Sequence, residues 1–172
     1  RPVNEDLFAP GWTSYEWRLA YQTHDVTEAM RDGEGDAVGL AARVGNGWYR
    51  GDLGFEGADA NYGQEIGLLA ALEVQYADGT RQVVPTSGDW DARTTEVLEH
   101  SIYHGQRIDA RLRGAGEPLV VRPGAFDVDR LVPQVAEPVR RHEVLAPVEV
   151  TTSPAGATLV DFGQNLVGWL RV

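Results

Sequence analysis

The sequence predicts an all-β protein made of two packed antiparallel sheets, and three observations carry that prediction. Apolar and polar residues alternate with a period of two along most of the chain, as in strands with one buried face. Twenty glycines and nine prolines interrupt the alternation at short intervals, the punctuation of many short strands. Helical character is confined to one segment of one or two turns. With 42% hydrophobic residues and five tryptophans, the 172-residue chain carries enough apolar surface for a packed core. Stacked sheets are the architecture that buries it.

Taken in order, residues 18–23 and 37–44 read as the first strands. Between them lies the helix, 27–31, with Asp25 or Thr27 as its cap and Gly33 as its stop. The clearest hairpin follows. Leu72, Val74 and Tyr76 share one face while Glu73 and Gln75 share the other. Ala77-Asp78-Gly79-Thr80 then supplies an Asp-Gly turn with positive φ, and 81–84 returns. Further strands are expected at 89–93, 108–111, 119–122 and 140–149, and a last hairpin from 158–162 to 166–172. Residues 133–147, with Pro138 among them, read as an extended connector. The chain therefore divides into 1–136, one sandwich domain, and 137–172, the connector and opening strands of a following β-domain. No repeat of roughly 20–50 residues is visible.

Charge and composition remove several functions. The formal net charge is −11 and the pI about 4.7, which argues against nucleic acid and against an anionic membrane surface. A neutral ligand or a divalent cation suits this balance better. There is no cysteine, hence no disulfide and no thiolate metal site. Four scattered histidines (24, 100, 104 and 142) form no HExxH motif. No run approaches about 18 apolar residues, the length that spans a bilayer. The opening Arg1-Pro2-Val3-Asn4 is neither an initiator Met nor a signal peptide. The expectation is a piece of a larger protein, trimmed at both ends, with its compartment left open.

Three polar or aromatic clusters are candidates for binding. Asn4-Glu5-Asp6 sets oxygen-rich side chains in a row, and Glu5 and Asp6 are the candidate ligands for calcium, a hard ion that takes several oxygens. In Asn46-Gly47-Trp48-Tyr49-Arg50-Gly51, the Trp48 indole could stack on a sugar face while Asn46 and Arg50 bond hydroxyls, with Tyr49 beside them. Asp59, Asn61 and Tyr62 lie in the Gly/Ala-rich loop 54–63, long enough to rim a pocket. For each cluster the competing expectation is structural: a solvated loop, or aromatic side chains packed at a strand end. Trp12, Tyr15 and Trp17, close together in sequence, read as core or as an inter-strand corner.

Seven ordered motifs carry a resemblance. They are Ala9-Pro10-Gly11-Trp12-Thr13-Ser14-Tyr15, then Tyr21-Gln22-Thr23-His24-Asp25-Val26-Thr27, Gly47-Trp48-Tyr49-Arg50-Gly51-Asp52-Leu53-Gly54-Phe55, and Asn61-Tyr62-Gly63. Ala77-Asp78-Gly79-Thr80, Ile102-Tyr103-His104-Gly105-Gln106-Arg107-Ile108-Asp109-Ala110-Arg111 and Asp161-Phe162-Gly163-Gln164-Asn165-Leu166-Val167-Gly168-Trp169 complete the series. In order and spacing they resemble the N-terminal, non-catalytic region of bacterial α-L-rhamnosidases.

That resemblance implies a jelly-roll, galactose-binding-domain-like sandwich, lacking its first strands, in a large inverting glycoside hydrolase. The parent would release terminal α-L-rhamnose from rhamnosides, using carboxylates in a separate (α/α)₆ barrel that these residues do not supply. No catalytic residue is assigned here. An inverting pair needs two carboxyl groups about 6.5–9.5 Å apart, one of them raised in pKa by burial, and no acid lies in an apolar run. Two roles stay open: structural and interdomain support without a cofactor, or a calcium-assisted module holding L-rhamnose or a rhamnoside. An accessory sandwich of another glycosidase is a further alternative.

Overall fold

The computed structural model describes residues 2–32, 37–54 and 57–171. The chain divides into two units, Arg1–Asn4 with Pro10–Ala136, and Glu5–Ala9 with Glu137–Val172.

In the first unit the strand β1 (Leu19–Tyr21) is followed by the helix α1 (Thr27–Arg31). Asp25 receives the Thr27 amide at 2.9 Å, and Arg31 pairs with Glu28 one turn back at 2.9 Å, so this short helix is held at both ends by local bonds. The expected stop, Gly33, lies outside the described residues. A second helical turn, α2 (Gly47–Arg50), occupies the Asn-Gly-Trp-Tyr-Arg segment. The strand expected at 37–44 forms no ladder among the described residues.

The remaining strands of this unit are β2 (Ala71–Gln75), β3 (Arg81–Pro85), β4 (Ala92–Arg93), β5 (Val97–Ser101), β6 (Gly105–Ile108), β7 (Pro118–Leu119) and β8 (Leu131–Pro133). β2 and β3 form the expected hairpin, with Leu72 opposite Val84 and Val74 opposite Gln82. Gly79 takes φ +86°, and Asp78 accepts from both the Thr80 amide and its hydroxyl, at 2.9 and 2.7 Å. These two bonds hold the Asp78 carboxyl below the usual carboxylate range. β5 and β6 form a second hairpin, which the sequence reading did not contain. In its turn, the Ser101 hydroxyl oxygen accepts from the Tyr103 and His104 amides at 3.2 Å each.

β4 pairs with β7 antiparallel, and β1 with β8 parallel. The strand expected at 108–111 stops at Ile108 because Asp109 caps a 3-10 turn over Ala110–Leu112, accepting from the Arg111 amide. Those expected at 89–93 and 119–122 shorten to β4 and β7.

In the second unit β9 (Glu149–Thr152) and β10 (Thr158–Asp161) pair antiparallel. This differs from the expected strand 140–149 and the expected hairpin 158–162 to 166–172. The reason is local: Ser153-Pro154-Ala155-Gly156 closes a turn upstream, with Gly156 at φ +82° and the Ser153 hydroxyl accepting from the Ala157 amide. A bridge joins Leu7 to Val139.

The chain is all-β in class, with ladders that are antiparallel except for β1–β8. Among the described residues the sheets are two-stranded and no apolar side chain is fully buried. That departs from the packed core expected of this composition. The physical reason is that a lone two-stranded ladder has too little face to enclose side chains. The closest approach to a core is aromatic, and it lies at α2.

Candidate functional site

Three segments of the first unit bring the aromatic residues together. Tyr15 sits in the turn that precedes β1, Tyr49 in α2, and Tyr62 in the loop that follows. The Tyr15 and Tyr62 rings meet edge-to-face at 4.8 Å, and Tyr49 lies 5.9 Å from Tyr15 and 6.3 Å from Tyr62, within the range favoured by aromatic quadrupoles. The Trp12 indole nitrogen donates to the Tyr62 hydroxyl at 3.2 Å. Backbone bonds fix the loop against α2: the Ala60 amide donates to the Arg50 carbonyl at 3.0 Å, and the Tyr62 amide to the Tyr49 carbonyl at 3.3 Å.

Burial, and then the neighbouring Tyr62, push the Tyr15 phenol above its ordinary value. The sign follows directly: a raised folded-state value means the neutral phenol supports the fold. That support is present below about pH 10, the ordinary tyrosine value, and is lost as pH rises through the higher folded value. A pH titration of phenolate absorbance should therefore show one tyrosine ionising late, with Tyr15→Phe removing that component. Six tyrosines titrating alike would contradict the packing described here.

Arg50 organises the polar side of the site. Its Nε donates to Asn46 Oδ1 at 2.8 Å, one turn back along α2, and its Nη1 donates to the Gln64 carbonyl at 3.3 Å. Arg50, Gln64, Glu65, Ile66, Val120 and Arg122 line a cleft of about 270 Å³. Arg122 lies 4.0 Å from Glu65, both side chains largely exposed.

The residues expected to bind carbohydrate thus separate. Asn46, Tyr49, Arg50 and Tyr62 are drawn into one assembly, where much of their capacity is spent on each other. Trp48 is half-buried, and Asp59 and Asn61 are exposed, with the Asn61 amide donating to the Ala58 carbonyl at 3.1 Å. Phe55, to which Trp48 and Tyr49 would hold their loop in the structural alternative, lies outside the described residues. Sequence reading missed that Tyr15 and Trp12 complete the cluster; their crowding with Trp17 was the available signal.

Asp52 was also missed. Its Oδ2 lies 2.9 Å from His104 Nε2 and accepts from the Ser101 hydroxyl at 3.4 Å, while Tyr103 Oη accepts from the Gly54 amide at 3.1 Å. Serine and histidine share one carboxylate here, whereas a nucleophile–base pair requires serine bonded to histidine. The arrangement fastens the loop after α2 to the β5–β6 turn.

Glu5 and Asp6 belong to the second unit. Asp6, only 5% exposed, accepts from Arg140 Nε at 2.9 Å, and Glu5 lies 3.7 Å from Arg141. Among the described residues no three His, Asp or Glu side chains gather as metal ligands do. Arg140→Ala would remove this ion pair from the largely buried Asp6 carboxylate and should reduce stability by about 1–2 kcal/mol. Chemical denaturation of the Arg140→Ala and Asp6→Asn/Arg140→Ala chains measures this; the double variant should recover part of the loss.

Comparison with known proteins places this geometry. The family model of the α-L-rhamnosidase N-terminal domain matches residues 1–143. An α-L-rhamnosidase of Streptomyces avermitilis is 41% identical over 182 aligned residues, covering 100% of this chain and 17% of the relative. One from Alteromonas is 29% identical, covering 95% and 18%. Among solved structures, native α-L-rhamnosidase from Aspergillus terreus superposes with a TM-score of 0.80 at 34% identity, over 97% of this chain and 20% of that one. The Streptomyces avermitilis enzyme complexed with L-rhamnose gives 0.75 at 34% identity, over 95% and 16%. The chain spans about one fifth of the length of these relatives.

Proposed function

Because the chain belongs to the α-L-rhamnosidase N-terminal domain family, we propose that it works as a non-catalytic support whose apolar faces are covered by other domains of an α-L-rhamnosidase. The observation that carries this reading is the apolar surface left open. The accessible area is 14774 Å², against about 8,300 Å² for a self-contained monomer of this mass. β3 is exposed along its whole length, and Val135 and Val144 are more than 80% exposed. Surface of this kind marks contact with further protein. Hydrolysis of terminal α-L-rhamnose would then be the work of the larger part of the parent.

The test uses the intact parent enzyme and the 172-residue chain side by side. Val83→Asp with Val84→Asp should lower the melting temperature of the intact enzyme by several degrees while changing that of the chain little. Equal effects on both would contradict interdomain support. The chain alone should not cleave an aryl rhamnoside.

A second reading, a module that holds L-rhamnose with calcium, is favoured by one observation: a relative at 34% identity has been solved with L-rhamnose. Calorimetric titration of L-rhamnose into the chain, with and without calcium, separates the two. Support alone predicts no heat at millimolar sugar in either case.

A further inference from the structure

We infer that the cleft between Arg50 and Arg122 is a binding site for a saccharide bearing a carboxylate, a uronic acid residue. This proposal is independent of the support role, and either can stand if the other fails.

A guanidinium carries five N–H groups and no acceptor. Arg50 spends one on Asn46 and one on the Gln64 carbonyl, which fixes its plane and leaves further N–H groups for a ligand. Among the described residues Arg122 has one pairing, the loose, exposed one with Glu65 at 4.0 Å, too long for a hydrogen bond. Its planar fork matches a carboxylate, which takes two parallel N–H bonds from it.

The other walls suit a sugar ring. The Gln64 side-chain amide offers both a donor and an acceptor to hydroxyls, and Ile66 and Val120 present apolar surface to C–H groups. At about 270 Å³ the cleft lies just below the roughly 300–1,000 Å³ range of sites for drug-sized ligands, a size suited to one ring. No aromatic ring lines it, so recognition rests on charge and hydroxyl contacts instead of stacking.

The sign of the ligand follows from the balance inside the cleft. Two cations stand against one carboxylate, a surplus of one positive charge in a chain whose formal net charge is −11. Beyond about 8 Å that wider field is screened at physiological ionic strength, so the arginines dominate at contact. Glu65, beside Arg122, would disfavour a second negative charge and limits the site to a monoanion.

Calorimetric titration of D-glucuronate, D-glucose and acetate into the 172-residue chain tests the assignment. Glucuronate should bind in the millimolar range, at least tenfold more tightly than either glucose or acetate. Arg122→Gln, at an exposed position where the fold should be indifferent, should weaken glucuronate at least tenfold with an unchanged melting temperature. Glu65→Gln should strengthen it two- to fivefold. Absence of heat with glucuronate, equal binding of glucose, equal binding of acetate, or full affinity in Arg122→Gln would each overturn the proposal. None of these outcomes bears on the parent-enzyme melting experiment.

Discussion

Replacing Gly51 by alanine should lower stability by about 2–3 kcal/mol, although the change adds a single methyl group. Gly51 is the residue that leaves α2, and it is buried. A Cβ there would stand 2.5 Å from the carbonyl oxygen of Gly47 and 3.4 Å from Asn46 Cβ. The first is backbone within the same turn and cannot move without opening α2. Opening α2 displaces Arg50, and with it the bonds to Asn46 and to the Gln64 carbonyl that join the turn to the loop beyond. Its φ of −82° is open to any residue, so the effect is purely one of space. Gly39→Ala is the control: nothing lies within 4 Å of that position, and the change should stay within about 0.5 kcal/mol. Urea denaturation midpoints of the two variants decide the matter, and similar midpoints would refute the account of α2.

The second large effect is expected at Tyr62. Truncation to alanine removes the ring that meets Tyr15 edge-to-face and the hydroxyl that receives Trp12, and should reduce stability by about 2–3 kcal/mol. Tyr62→Phe keeps the ring and loses only the indole bond, for about 1 kcal/mol. The ordering is the prediction. If the phenylalanine variant lost as much as the alanine variant, the hydroxyl would be the important group and the ring packing incidental.

Both effects arise where sequence reading was only partly successful, and the pattern has a physical basis. The β2–β3 hairpin and α1 were legible because their determinants are adjacent in sequence: Asp78-Gly79 for the turn, Asp25 for the helix start. The β5–β6 hairpin went unread because Ile102-Tyr103-His104 is an unusual turn, apolar and aromatic, closed by Gly105 at φ +81°. α2 was hidden inside a glycine-flanked segment that reads as loop, yet Asn46 and Arg50 stand four apart, the helical spacing for side-chain pairing. At the site, Tyr49 and Tyr62 belonged to separate candidate clusters, and Tyr15 to neither. Only tertiary structure could join three rings from three segments. Family membership was legible for a different reason, since it rests on the order of many motifs and not on any one contact.

The parallel ladder between β1 and β8 has a consequence for the order in which the chain assembles. It joins residues 19–21 to residues 131–133, and the Arg130 guanidinium reaches back to the Tyr15 carbonyl. Closing a segment of that length carries an entropic penalty of about 4 kcal/mol before any contact offsets it, whereas hairpins such as β2–β3 close within about 1–10 μs. The local ladders should therefore form early and this junction last. In pulsed hydrogen exchange during refolding, amides at 19–21 and 131–132 should gain protection after those at 71–84.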